Sequence, residues 1–321
     1  MGRLFTPTAL APAQPRPQRS ARVRAALRLL AAGVGLAGSL ALLGLVWPEA
    51  DRAVRDDGPP SAADLARLPS RPINVLLIGS DADRNGSVVN GAAPRGAANS
   101  DALLLVHVDP KGPLQLLSLP IETAVQLPGD AQPVALGSLY KRGGPALVAG
   151  ATAQLVGLPN RQLDRYVVLP RSALRQLIDG LGRVELSPDR SMRYLDKSQN
   201  YRIQLDGGLQ VLNGAQVEQL LRFRDPEAGE ERRRERQQMA VESVLRQMGQ
   251  QQQLQQLPDL IANLEPGVDT NLTTQETLSL LAAALQPGER VEFETLALKP
   301  ALQPKNPLRQ LDARAQQPWP R

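Results

Sequence analysis

Residues 100–122 read SDALLLVHVDPKGPLQLLSLPIE, two apolar runs joined by a short polar turn. Each run is too short for a buried helix and is bounded by turn residues, so both read as strands. In the turn Asp109-Pro110-Lys111-Gly112, proline fixes one φ and glycine frees another, which joins neighbouring strands antiparallel. The start of the first strand and the end of the second then share one edge of the sheet. Asp101 stands at that start and Glu122 just past that end. Upstream, residues 73–78 (INVLLI) form another fully apolar run, read as a buried strand, with Asp81 just beyond it. If its C-terminal end meets the same edge, three carboxylates gather there. Like charges held close are costly unless a cation or arginines compensate. Taken singly, each acid reads as a turn cap; taken together, Asp81, Asp101 and Glu122 point to a metal or phosphate site.

Arginines arrive from the other half of the chain. Residues 209–249, LQVLNGAQVEQLLRFRDPEAGEERRRERQQMAVESVLRQMG, read as two helices joined near residues 225–229. In the second, positions 233, 236, 237, 240, 244 and 248 fall on one face by three- and four-residue spacing. Arg233, Arg236 and Gln237 thus continue the line of Ala240, Val244 and Met248 and are expected to face the core. Buried guanidinium groups need anionic partners and match phosphate oxygens bidentately. Arg222 and Arg224, at the end of the preceding helix, reach the same region. Arg232 and Arg234, interleaved with Glu230, Glu231 and Glu235, read as an ordinary solvated charge run.

Composition removes several classes of function. The 321 residues contain no cysteine, so disulfides, zinc–thiolate sites and cysteine nucleophiles are excluded. The one histidine, His107, lies within an apolar run and reads as a packed or edge-strand residue. The net charge of +5 comes from residues 1–28, which hold six arginines and no acid. The remaining chain carries 31 basic and 32 acidic residues, so no domain-wide nucleic-acid footprint exists and no nucleic-acid partner is expected. No G-x-x-x-x-G-K-[ST] loop occurs.

Residues 29–47, LLAAGVGLAGSLALLGLVW, run nineteen positions without a charge. That length spans a bilayer, and the tryptophan suits its interface. With the arginines on its N-terminal side, the positive-inside rule leaves residues 1–28 in the cytoplasm and the main domain outside. The run is long for a cleaved signal peptide, and no convincing cleavage site follows. A linker is expected at 48–72, the main domain at 73–250, an extension of it at 251–300 and a mobile tail at 301–321. The Gln-rich stretch 247–256 reads as a solvated helix end.

Five segments together resemble the LytR-CpsA-Psr family of cell-envelope proteins: INVLLIGSD (73–81), NSDALLLVHVDPKGPLQLLSLPIET (99–123), YVVLPRSALRQLIDGLGRVELSP (166–188), GGLQVLNGAQVEQLLRFR (207–224) and RRRERQQ (232–238). Their order and spacing behind a membrane anchor make the match more specific than any one of them. The resemblance implies an extracytoplasmic α/β/α domain, a central mixed sheet flanked by helices, that binds a polyprenyl pyrophosphate in an apolar pocket. It implies transfer of a phospho-glycopolymer from that lipid to peptidoglycan, with a divalent cation such as Mg²⁺. By motif position Asp81 and Asp101 are the metal-associated acids. Arg222, Arg224, Arg233, Arg236 and Gln237 surround the pyrophosphate. The sequence departs from the family pattern at Asn99 and Ile121, where arginines are usual, and at Glu122, where aspartate is usual.

Phosphoryl transfer asks mainly for positioning and for positive charge around oxygens that become more negative. An acceptor sugar hydroxyl would attack the glycan-proximal phosphorus and polyprenyl monophosphate would leave, with Glu122 or Asp101 as the base. The rival readings are an envelope protein that binds lipid-linked glycan without transferring it, and a membrane-bound regulator of transcription. The 28 residues expected in the cytoplasm are too few for a helix-turn-helix domain.

Overall fold

The apolar runs become neighbouring strands of one sheet in the computed structural model, which describes residues 60–92, 95–158, 163–198, 200–225, 229–286, 290–300, 308–312 and 319–320. Six strands make the sheet: β1 (Ile73–Ser80), β2 (Ser100–Val108), β3 (Leu114–Ser118), β4 (Arg165–Leu169), β5 (Asp269–Thr270) and β6 (Val291–Thr295). Their spatial order is β5-β4-β1-β2-β3-β6. The sheet is mixed. β2 runs antiparallel to both β1 and β3, as the Asp109–Gly112 turn dictates, while β4 lies parallel to β1 and β6 parallel to β3. Among the described residues six α-helices accompany it: α1 (Leu139–Leu155), α2 (Arg171–Gly180), α3 (Gly214–Arg222), α4 (Gly229–Met248), α5 (Gln251–Leu264) and α6 (Thr274–Ala284).

The pleat sorts the side chains between two faces. Leu76, Ile78, Leu103, Leu105 and Leu117 pack with Leu139 and Val148 of α1. On the opposite face Leu104, Val106 and Leu116 meet Val241 and Leu245 of α4 and Leu280 of α6. Helices thus cover both faces, which is why the strands read as continuous apolar runs rather than alternating ones. A further core joins α2, α3 and α5 to two short ladders, Val184–Leu186 with Gln210–Leu212 and Met192–Asp196 with Tyr201–Leu205.

Local chemistry fixes the helix starts. Asn213 accepts a hydrogen bond from the Gln216 amide while Gln216 accepts one from the Asn213 amide, both at 3.0 Å, closing a capping box on α3. Gly214 then lets α3 approach α2 closely; a Cβ there would stand 2.5 Å from the Arg175 Cα.

Three expectations need correction or delimiting. In the stretch expected as a mobile tail, Trp319 is buried against the α1 side of the sheet and its amide donates to the Val156 carbonyl at 3.0 Å. Arg309 also pairs backbone to backbone with Glu122 and Ala124. Proline content there hid the anchoring apolar residues. The Gln-rich stretch is a solvated helix end only in part: α4 ends there and Gln250, Gln251, Gln252, Gln255 and Gln256 are exposed, but α5 also begins within it and buries Leu254, and Gln247 donates to the Leu181 and Arg183 carbonyls. The apolar run 29–47 lies outside the described residues, and among those described no helix is long and apolar enough to cross a membrane.

His107 is a structural residue. Its Nδ1 lies 2.8 Å from the Asn74 side-chain oxygen, its ring meets Trp319 edge-on at 5.8 Å, and burial lowers its pKa.

Candidate functional site

The antiparallel pairing of β1 with β2 sets Ser80 opposite Ser100, beside a bulge that carries Asp81 and Asp101 to the same edge. Asp81 is held from two sides. Its Oδ1 accepts the Asn99 amide at 2.6 Å and its Oδ2 accepts the Asn90 side-chain amide at 3.1 Å. Burial pushes the Asp81 carboxyl upward, the Asn99 amide opposes it, and the charge of Asp101 adds to the rise. A folded-state pKa above the unfolded value means the native protein binds more protons in that window, so its stability falls as pH rises from the ordinary carboxyl value of 3.8 through the raised one. Without a divalent cation, Asp81→Asn is therefore expected to gain stability relative to the wild type as pH increases from about 4 to about 7, read by thermal melts. A constant difference between the two proteins across that range would show that Asp81 carries no such cost.

Asp101 receives the arginine helix. Arg233, only 2% exposed, lies 3.4 Å from the Asp101 carboxylate and 2.6 Å from Glu230. Arg224 bridges the same two acids, at 3.7 Å and 3.2 Å. Gln237 reaches the Asp101 carbonyl at 3.4 Å. The predicted inward face of α4 is therefore found, with Ala240 and Met248 buried below it. Arg236 is buried too, but its partners differ. It donates to the carbonyls of Leu220 (3.2 Å) and Phe223 (2.5 Å) at the end of α3 and covers the Phe223 ring. In doing so it satisfies orphan carbonyls of a helix terminus.

Between the sheet and helices α2 to α6 runs a cavity of 430 Å³. Its walls are apolar, with Leu77 and Leu104 from the sheet, Leu174 from α2, Leu221 from α3 and Val244 and Met248 from α4. Charge is confined largely to one region of the wall: Asp81, Asp101, Arg171, Glu218 and Arg222, beside Gln237. Arg236, turned to the end of α3, is not among the lining residues. Glu218 is 2% exposed and draws three arginines together. Arg171 donates to it at 2.6 Å, Arg175 by a short contact, and Arg222 stands at 4.0 Å over the Tyr201 ring. Sequence reading missed Arg171, Glu218 and Asn90. Glu218–Arg222 has the i,i+4 spacing of an ion pair, but Arg171 lies 47 residues from Glu218 and leaves no local trace.

Glu122 shares the sheet edge but not the site. Its carboxylate is taken by Arg234 at 2.7 Å, with Arg309 at 4.0 Å, and it does not line the cavity. Arg234 is thus not the solvated residue its interleaved acids suggested. At the two departure positions, the Asn99 backbone serves Asp81 and Ile121 packs against the α1-side core.

The chain matches the LytR_cpsA_psr family over residues 51–312. It is similar to the polyisoprenyl-teichoic acid–peptidoglycan teichoic acid transferase TagV of Bacillus subtilis, 23% identical over 223 residues covering 68% of this chain and 54% of that protein. It is similar to the TagU transferase of Enterococcus faecalis, 24% identical over 63% of this chain and 62% of that protein. The match thus spans 54% and 62% of the length of these two relatives, less than two thirds of either. Among solved structures, B. subtilis TagV superposes with a TM-score of 0.61 at 21% identity, over 77% of this chain and 94% of that one. A structure described as TagT bound to LIIa-WTA superposes with a TM-score of 0.57 at 16% identity, over 82% and 91%. At these identities the superpositions establish the fold.

Proposed function

Because the chain belongs to the LytR_cpsA_psr family, we propose that it transfers a phospho-glycopolymer from a polyprenyl pyrophosphate carrier to peptidoglycan or another envelope acceptor. One observation carries the reading: an apolar cavity meets, on one part of its wall, a network of two ion-paired groups, one on Glu218 and one on Asp101, with Asp81 within electrostatic reach of both. A prenyl chain suits the apolar walls, where burying each CH₂ contributes about 0.8 kcal/mol. A pyrophosphate suits the charged region, where Arg222 lines the wall and Arg224 and Arg233 stand at the lining residue Asp101 as further charge-assisted donors.

Charge balance supports a divalent cation. Five carboxylates (Asp81, Asp83, Asp101, Glu218, Glu230) face five arginines (Arg171, Arg175, Arg222, Arg224, Arg233) in this network, so an entering pyrophosphate finds no net positive charge. No group of three or more acids and histidines suited to a cation occurs among the described residues. A pair of carboxylates completed by phosphate oxygens and water fits Mg²⁺, which seldom uses an all-protein cage. Asp81 and Asp101 would hold it, and it would neutralise phosphate charge. That role also fits the raised pKa of Asp81, whose buried charge a cation would compensate.

Within the chain's own chemistry, Arg224 and Arg233 orient the glycan-side phosphate and Gln237 fixes the Asp101 backbone beneath it. The acceptor hydroxyl attacks the glycan-side phosphorus. The bond to the bridging oxygen breaks, and polyprenyl monophosphate departs. Of the two acids suited to act as base, Asp101 lines the cavity, whereas Glu122 is turned to Arg234. We assign the base to Asp101, through its Oδ2, since Arg224 and Arg233 both face Oδ1. Residues 29–47 are proposed as the anchor that keeps the domain at the outer face of the cell membrane, within reach of a lipid carrier.

The reading is tested by a transfer assay with the full chain in detergent, a polyprenyl-pyrophosphate glycan, peptidoglycan and Mg²⁺. Glycan bound covalently to peptidoglycan is expected, with release of polyprenyl monophosphate. Binding of the lipid with no release of monophosphate would instead establish a carrier-binding protein.

A further inference from the structure

Arg171 enters this network from α2, a helix that holds none of the arginines expected from the sequence. It is the first residue of α2, its side chain is 14% exposed, and it lines the cavity on the wall that also carries Arg222 and Asp81. Its Nε donates to Glu218 and one terminal nitrogen is engaged by Asp83. Its backbone amide donates to the Ala82 carbonyl at 3.0 Å, which fastens it to the loop that presents Asp81. Glu218 sets the place of both Arg171 and Arg222, since the same buried carboxylate faces each.

The arginines divide into two groups. Arg224 and Arg233 meet at Asp101 and Glu230 and do not line the cavity wall. Arg171 and Arg222 do line it, next to the apolar surface of Leu174 and Leu221. A pyrophosphate has the same polarity, with one phosphorus esterified to the prenyl chain and the other to the glycan. We propose that Arg171, positioned by Glu218, binds the lipid-side phosphate together with Arg222, and so holds the group that leaves as polyprenyl monophosphate. This assignment rests on the reading of the cavity as a polyprenyl pyrophosphate site. It gives the site a cation at a position separate from Asn99 and Ile121, where the chain is uncharged.

The leaving phosphate gains charge as the bridging bond breaks, and a fixed guanidinium beside it lowers that barrier without reorganising. The lipid monophosphate itself is then a ligand of Arg171. The full chain in detergent is titrated with three probes that share a prenyl chain: farnesyl monophosphate, farnesyl pyrophosphate and farnesol. Arg171→Ala is expected to weaken both phosphorylated probes by about 10- to 100-fold, the loss of one charge-assisted contact, and to leave farnesol unchanged. Arg171→Lys keeps the charge and is expected to retain most of the monophosphate affinity. Thermal melts separate folding from binding, and if the alanine variant unfolds early a folded Arg171→Gln, which removes the charge and keeps a polar side chain, takes its place with the same expected loss. Monophosphate affinity equal to wild type in a folded Arg171→Ala would overturn the proposal. So would a parallel loss of farnesol binding, which would mark a collapsed cavity. Failure of the wild type to bind any of the three would instead remove the reading of the cavity itself.

Discussion

Replacing Arg233 by alanine is expected to lower transfer by about 10²–10³-fold, the usual effect of deleting one preorganised donor at a site of developing charge. Arg233 is almost fully enclosed, and its two terminal nitrogens are divided between Asp101 and Glu230. Its removal therefore takes one positive charge from beside the glycan-side phosphate and leaves Asp101 to the largely exposed Arg224 alone. Arg236 is the control, three residues away on the same helix face and equally buried. Its partners are the carbonyls of Leu220 and Phe223, so Arg236→Ala is expected to loosen the joint between α3 and α4 and to lower the melting temperature. Arg233→Ala and Arg236→Ala measured side by side, for transfer rate and for melting temperature, distinguish the two roles. If Arg236→Ala abolished transfer at an unchanged melting temperature while Arg233→Ala remained active, the roles assigned from the contacts would be reversed.

That pair also shows what periodicity conveys. The three- and four-residue spacing identifies which face of α4 turns inward, because side chains one helical turn apart stack on one side. It carries no information on what meets them there. Arg233 finds carboxylates and Arg236 finds carbonyls, and only the placement of α3 decides between them. The strands were more legible. Two apolar runs across a Pro-Lys-Gly turn have essentially one arrangement, and pairing them places Asp101 and Glu122 at one edge, whereas Asp81 joins them through the pairing of β1 with β2, which no turn dictates. Glu122 follows the same edge, yet its partner Arg234 lies 112 residues away, so its capture left no sign in the sequence. Trp319 was hidden for a related reason: a single tryptophan in a proline-rich stretch makes no periodic pattern, although it is buried in the core on the α1 side and donates to the Val156 carbonyl.

The largest stability effect is expected at Glu218. Its carboxylate is the shared partner of Arg171, Arg175 and Arg222, and it lies inside the protein rather than at a solvated surface. Arg175 is 43% exposed and can turn to water, but Arg171 and Arg222 are mostly enclosed. Glu218→Leu therefore strands two cations, Arg222 and, but for its contact with the half-exposed Asp83, Arg171, and breaking a buried pair from one side costs about 3–5 kcal/mol. For a domain of this size that corresponds to a melting temperature lower by roughly 6–20 °C. Adding Arg171→Leu removes one of the stranded cations and fills the space with apolar atoms, so the double variant is expected to recover a large part of the loss. Recovery in the melt without recovery in transfer is the decisive pattern. It would mean that the chain keeps a buried ion cluster where a leucine pair would serve stability, because a guanidinium is needed at the lipid-side phosphate. A Glu218→Leu protein that melts within about 2 °C of the wild type would instead show that water already reaches these arginines and that Glu218 does not set their positions.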